Sequence, residues 1–175
     1  MEFRKLKPDE IDLRIGTVTS KGVSLLLYKD ARVDMTILDE TVGAENWQRE
    51  HYECKGNLFC RVGIRIVTLD ENGFIKSYEW VWKADCGTES QTEKEKGESS
   101  DSFKRACVCW GIGRELYTAP FIWIPLTPDF YEGNKLSKKA QNTINKFRVS
   151  VIDYKDGVIS NLIIVDKDGT VVWRM

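Results

Sequence analysis

Histidine is nearly absent from this 175-residue chain, and neither charge predominates. Each shortage excludes something. His51 is the only histidine, and with no obvious nucleophile near it a nucleophilic triad lacks its base. Five cysteines (Cys54, Cys60, Cys86, Cys107 and Cys109) make an odd set. Neither His51 with Cys54 nor the CxC of Cys107 and Cys109 has the paired spacing a zinc site wants, so the cysteines read as reduced thiols, most of them small core fillers. No metal and no cofactor are expected. A GKS or GKT phosphate loop is missing too. The net charge of -1 argues against a surface that is basic throughout. Any polyanion must then be held by a segregated strip of cations, with the carboxylates kept elsewhere. No apolar run approaches bilayer length. The N-terminus, MEFRKLKPDE, carries cations with no apolar stretch behind them. The expectation is a cytoplasmic protein without a membrane partner.

What is present describes a globular chain of 42% hydrophobic and 30% charged residues, expected as a single domain over 1–175. Residues 11–28 suggest two short strands around Lys21-Gly22. Asp30 then caps a helix with Val33, Ile37 and Leu38 inward and Gly43 at its end. In 58–69, Leu58, Cys60, Val62, Ile64 and Ile66 alternate with Phe59, Arg61, Gly63, Arg65 and Val67, the period of a half-buried strand. Asp70-Glu-Asn-Gly73 supplies a hairpin turn into a return strand over 74–86. The fold class expected is α+β, an antiparallel β-meander packed with a long helix and carrying a C-terminal β appendage. That appendage shows strand-like runs over 147–154, 158–165 and 170–174.

The most informative stretch is KEKGESSDSFKRACVCWGIGRELY, from Lys94 to Tyr117. Ser90 with Glu93 fits a capping box. Phe103, Ala106, Cys107 and Trp110 fall at helical spacing, and Gly111 and Gly113 end the helix. Gly97 marks a kink or the point where a loop becomes helix. Two readings of Lys104 and Arg105 stay open. They form a solvated helix face, or they wall a groove with Arg61 and Arg65 that tracks a phosphate backbone. Tyr78, Trp80 and Trp82, on one strand face, are expected to be core beneath the helix, with a base-stacking platform as the alternative. Gly111-Ile-Gly113 resembles a dinucleotide fingerprint only superficially, because Leu116 takes the third glycine position and no strand precedes it.

Two rival functions have residues to support them. Pro128-Asp129 with Asp153-Tyr154-Lys155 matches the pattern of a metal-dependent nuclease, two carboxylates on a divalent cation and a lysine near the attacking water. Both segments also read as ordinary turn or loop chemistry. The aromatic strand face could instead dock a protein, making the chain a non-DNA interaction module.

The order of several segments resembles a known family. These are Ile11-Asp-Leu-Arg14, Val42-Gly-Ala-Glu-Asn-Trp47, Arg61-Val-Gly63, Asp85-Cys-Gly87, Glu95-Lys-Gly97 and Ser100-Asp-Ser-Phe-Lys-Arg-Ala106. Together, over roughly residues 11–117, they are similar to the Rad52 family of single-strand annealing proteins, in its phage and prophage recombination branch. The resemblance implies a β-β-β-α core over 11–117, with 118–175 a linker and β-hairpin extension. It further implies ring or helical homo-oligomers whose outer groove holds single-stranded DNA by its backbone, without catalysis or nucleotide hydrolysis. Carried over by position, Lys104, Arg105 and Arg14 would contact phosphates, with Lys96 beside them. A single-strand-binding protein is a further expected partner, and the nucleoid or a host cytoplasm the expected place of action. Glu93, Glu95 and Glu98 set carboxylates next to those cations.

Overall fold

The computed structural model describes residues 1–88, 94–133 and 135–175. Among them the chain is α+β, with antiparallel sheets and three α-helices, and it divides into two compact units. One comprises residues 1–4 and 31–113, the other 5–30 and 114–175. In chain order, β1 (Asp12–Thr19) and β2 (Gly22–Tyr28) belong to the second unit. Helix α1 (Ala31–Val42), strands β3 (Trp47–Cys54), β4 (Asn57–Leu69) and β5 (Ile75–Cys86), and helix α2 (Lys94–Trp110) build the first. The second unit resumes with β6 (Ile122–Pro125), β7 (Tyr131–Glu132), β8 (Lys135–Leu136) and α3 (Lys138–Ile144). It ends with β9 (Arg148–Lys155), β10 (Val158–Val165) and β11 (Val171–Arg174).

In the first unit, β3, β4 and β5 form a meander in that order. Alternation along β4 sends Cys60, Val62 and Ile64 to one face, where they are fully buried. Helix α2 covers this face with Phe103, Ala106 and Cys107, also fully buried. The Trp110 indole fixes the register of helix on sheet by donating to the Val62 carbonyl at 2.9 Å. Trp47 stacks on Phe103 with centroids 6.1 Å apart, and its indole donates to Asp39 of α1 at 2.6 Å. One aromatic thus ties α1, β3 and α2 together, which accounts for the Gly-x-x-x-Trp end of the first helix. The strand β3 was not legible in the sequence. WQREHYEC is an edge strand, exposed along nearly its whole length, so it shows no alternating apolar signal.

Between β5 and α2, the Ser90–Glu93 capping box lies outside the described residues. From Lys94 the helix runs unbroken through Gly97. The tight junction is at Gly87 instead, where an added Cβ would stand 2.2 Å from the Glu98 carbonyl oxygen. Asp101 secures the same junction by accepting from the Thr88 amide at 3.1 Å and its hydroxyl at 3.2 Å. Helix α2 stops at Gly111, whose φ of 104° is accessible to glycine at little cost, and the Ile112 amide returns to the Cys107 carbonyl at 3.1 Å.

In the second unit β2 lies between β1 and β6, with Val23 opposite Ile124 and Leu25 opposite Ile122. Residues 118–175, expected as a linker and β-hairpin extension, contain a three-stranded meander ordered β11-β10-β9 as well as β6. Its core includes Val149, Ile152, Ile159, Leu162 and Ile164. Between β8 and β9 the chain forms α3, N-capped by the Ser137 hydroxyl, which accepts from the Ala140 amide at 3.1 Å. Glu115 is buried and accepts from the Leu6 amide at 2.9 Å, while the Tyr154 hydroxyl donates to the Leu6 carbonyl at 2.9 Å. The first residues of this unit are held by that pair of bonds.

Candidate nucleic-acid interface

The segment Ser100–Ala106 can be built residue by residue. Ser102 is buried and donates to the Ser99 carbonyl at 3.0 Å, while Phe103, Ala106 and Cys107 form the stripe that anchors α2. With those positions facing the sheet, Lys104 and Arg105 must lie along the flanks of the helix, where both are half-buried. Arg105 pairs with Asp85 on β5 at 3.1 Å, yet its side chain remains 41% exposed. A half-exposed ion pair of this kind is worth little to stability. It does hold the guanidinium in one place.

Lys83 joins this region and was not singled out in the sequence. Its ammonium donates to the Cys109 carbonyl at 3.1 Å and sits 4.4 Å from the centroid of the Trp110 ring. A cation at the last turn of a helix is favoured by the exposed carbonyls there. The signal was available in the alternation of β5, which puts Val81, Lys83 and Asp85 opposite Ile64, Val62 and Cys60 on the helix-facing side. Lys96 is exposed in the first turn of α2. Of the nearby acids, Glu98 is engaged elsewhere, accepting from the Leu58 amide at 3.1 Å, and Glu93 lies outside the described residues.

Arg61 and Arg65 do not share a groove with the helix cations. They alternate with Cys60, Val62 and Ile64, so the sheet itself separates them from α2. Tyr78, Trp80 and Trp82 accompany them, opposite Val67, Arg65 and Gly63 in register. The expected placement of these three rings as core beneath the helix is therefore corrected. Tyr78 is 57% exposed, and Trp80 and Trp82 are half-buried on the uncovered face. The physical reason is that α2 needs one face of the meander, and the aliphatic set of β4 claimed it. Arg14 lies in the other unit, exposed on β1 opposite Leu26.

The remaining candidates have local partners. Asp129 accepts from the Thr127 hydroxyl beside it, and Asp153 accepts from Asn161 at 2.8 Å. Lys155 ends β9 opposite Val158. His51 contacts the Ser99 hydroxyl and carbonyl, each at 3.2 Å, and Cys54 is exposed. Burial pushes the Cys60 thiol up to about 11, with Arg49 pulling the other way. It is a protonated core group at neutral pH. Among the described residues no three His, Cys, Asp or Glu side chains gather as a metal-binding group, and no helix is long and apolar enough to cross a membrane.

Comparison with known proteins gives one positive finding. No curated protein and no solved structure matches the chain. Residues 3–135, well over half of the chain, match the family described as Rad52/22 family double-strand break repair protein. That stretch contains α2, with its cations, and the whole β3–β4–β5 meander. The chain belongs to the Rad52/22 family of double-strand break repair proteins.

Proposed function

We propose that this chain binds single-stranded DNA and promotes annealing of complementary strands as a ring or helical homo-oligomer, without nucleotide hydrolysis or other catalysis. The observation that carries the reading is the construction of α2. Its apolar stripe is fully buried, so Lys104 and Arg105 project from a rigid backbone rather than a frayed one. In this reading the β3–β4–β5 meander with α2 is the family's β-β-β-α core, within a domain core over 11–117. Lys104 and Arg105 neutralise phosphates, Lys96 extends the basic strip along α2, Lys83 adds a cation at the helix end, and Arg14 contributes a phosphate contact of its own from the second unit. Each subunit holds the strand weakly, and repetition around the oligomer supplies the avidity. A backbone held by its phosphates leaves bases available to a second strand. The system is a phage or prophage recombination pathway acting in the host cytoplasm, with a single-strand-binding protein as a further partner.

The test is a titration of labelled single-stranded DNA at several salt concentrations. Each phosphate neutralised on a single strand contributes roughly 0.7 to the slope of log affinity against log salt. Lys104→Ala with Arg105→Ala is expected to reduce the slope by about 1.4 and to weaken binding at moderate salt. Unchanged affinity in a variant with an unchanged thermal midpoint sinks the reading.

A further inference from the structure

The sheet face turned away from α2 has no part in the phosphate contacts proposed above, yet its composition is specific. Trp82 lies flat over Gly63, where an added Cβ would come within 2.8 Å of the indole. The Arg61 guanidinium stands over Trp82, 4.4 Å from the ring centroid, and that of Arg65 over Tyr78 at 4.3 Å. Trp80 and Trp82 are 6.2 Å apart, and at the other end Tyr52 stacks on Phe59 at 5.6 Å. Sheet, ring and guanidinium therefore form layers, with Tyr78 57% exposed and the Arg61 side chain 43% exposed.

We propose that this face is a base-stacking platform for single-stranded DNA, a second contact made to bases rather than to phosphates. The inference rests on the proposed reading that the ligand is single-stranded DNA. Guanidinium planes and aromatic rings are the two surfaces on which unpaired bases stack. A base can add as the next layer above a guanidinium. It can also displace the guanidinium from its ring, freeing the arginine for a neighbouring phosphate. Charge agrees with this occupant. Along the strands the face carries Arg61 and Arg65 against one carboxylate, Glu50, which already pairs with Arg61. The more exposed aliphatic residues, which would suit a protein partner better, gather toward the hairpin tip at Leu69 and Ile75, with Val67 opposite Tyr78.

The experiment compares an oligonucleotide with an abasic strand of the same length and phosphate count. Tyr78→Ala and Trp80→Ala are each expected to weaken the oligonucleotide about 5- to 100-fold, the range for one stacked base. Neither should change affinity for the abasic strand. Lys104→Ala with Arg105→Ala should weaken both strands alike. The inference is overturned if the aromatic variants bind the oligonucleotide as the parent does, or if they lose both strands equally. It is also overturned if they change the particle mass by light scattering in the absence of DNA, which would make this face a contact between copies of the chain. In each of these cases phosphate binding through α2 can stand. If the parent protein binds neither strand, the proposed function fails along with the inference.

Discussion

The β3–β4–β5 sheet uses the same chemistry on its two faces to different ends. On the α2 side, Arg49 lies over Phe103 and Lys83 over Trp110, and both rings are locked between helix and sheet. On the other side Arg61 lies over Trp82 and Arg65 over Tyr78, where Tyr78 is 57% exposed and Trp82 half-buried. A cation over a ring is worth on the order of 0.5–1 kcal/mol where exposed, and more when desolvated. The layer above decides what the pair does. Covered, it joins two elements; uncovered, it presents an oriented cation and a ring to whatever binds.

Truncating one ring on each face should give the largest contrast. Phe103→Ala removes a fully buried side chain that touches Trp47 and Arg49, and is expected to cost about 3–5 kcal/mol in urea unfolding. Tyr78→Ala, at an exposed ring, should cost no more than roughly 1 kcal/mol. Equal losses would break the comparison by showing that the open face is structural. Adding a methyl group comes next. Gly87→Ala drives a Cβ against the α2 backbone at Glu98, which has no rotamer to yield, and should cost about 1–3 kcal/mol. Gly63→Ala meets first the Trp82 side chain, which can swing toward solvent, so its cost should stay below roughly 1 kcal/mol. Its signature would be an altered Trp82 environment, read by NMR of the indole N–H.

The covered face also carries a pH dependence. Burial raises the Cys60 thiol from its ordinary 9.0 to about 11. Between those values the folded protein keeps a proton that the unfolded chain releases. The contribution is therefore fully present below pH 9 and is lost as pH rises toward 11, at no more than about 1.4 kcal/mol per pH unit. Cys60→Ala should flatten this part of the stability profile. A slope that survives the substitution assigns it to another group.

Much of the first unit was legible because its signals are local. The period of two along β4, the Asp70–Gly73 turn and the glycines after Trp110 each act within a few residues. The alternation also held the placement of Arg61 and Arg65, although the groove reading set them beside the helix cations. Once Cys60, Val62 and Ile64 are assigned to the helix, alternation puts the arginines on the far side, away from Lys104 and Arg105. Two things were not legible. β3 is polar because its edge position exposes it, and its role becomes visible only in the pairs Trp47–Ile64 and His51–Cys60. The pairing of β2 with β6 joins segments about 100 residues apart, and no local pattern announces such a partner.

The sequence by itself determined the α+β class, the helix that carries Lys104 and Arg105, the stop that ends it and the family to which the chain is similar. These follow from periodicity, turn residues and motif order, which are properties of neighbours along the chain. The tertiary structure alone decided which face of the meander received the helix. It thereby left Tyr78, Trp80 and Trp82 on the face away from the helix, and it set Lys83 and Asp85 beside the end and flank of α2. A strand offers two faces by its geometry. Only packing chooses which of them water or a ligand will meet.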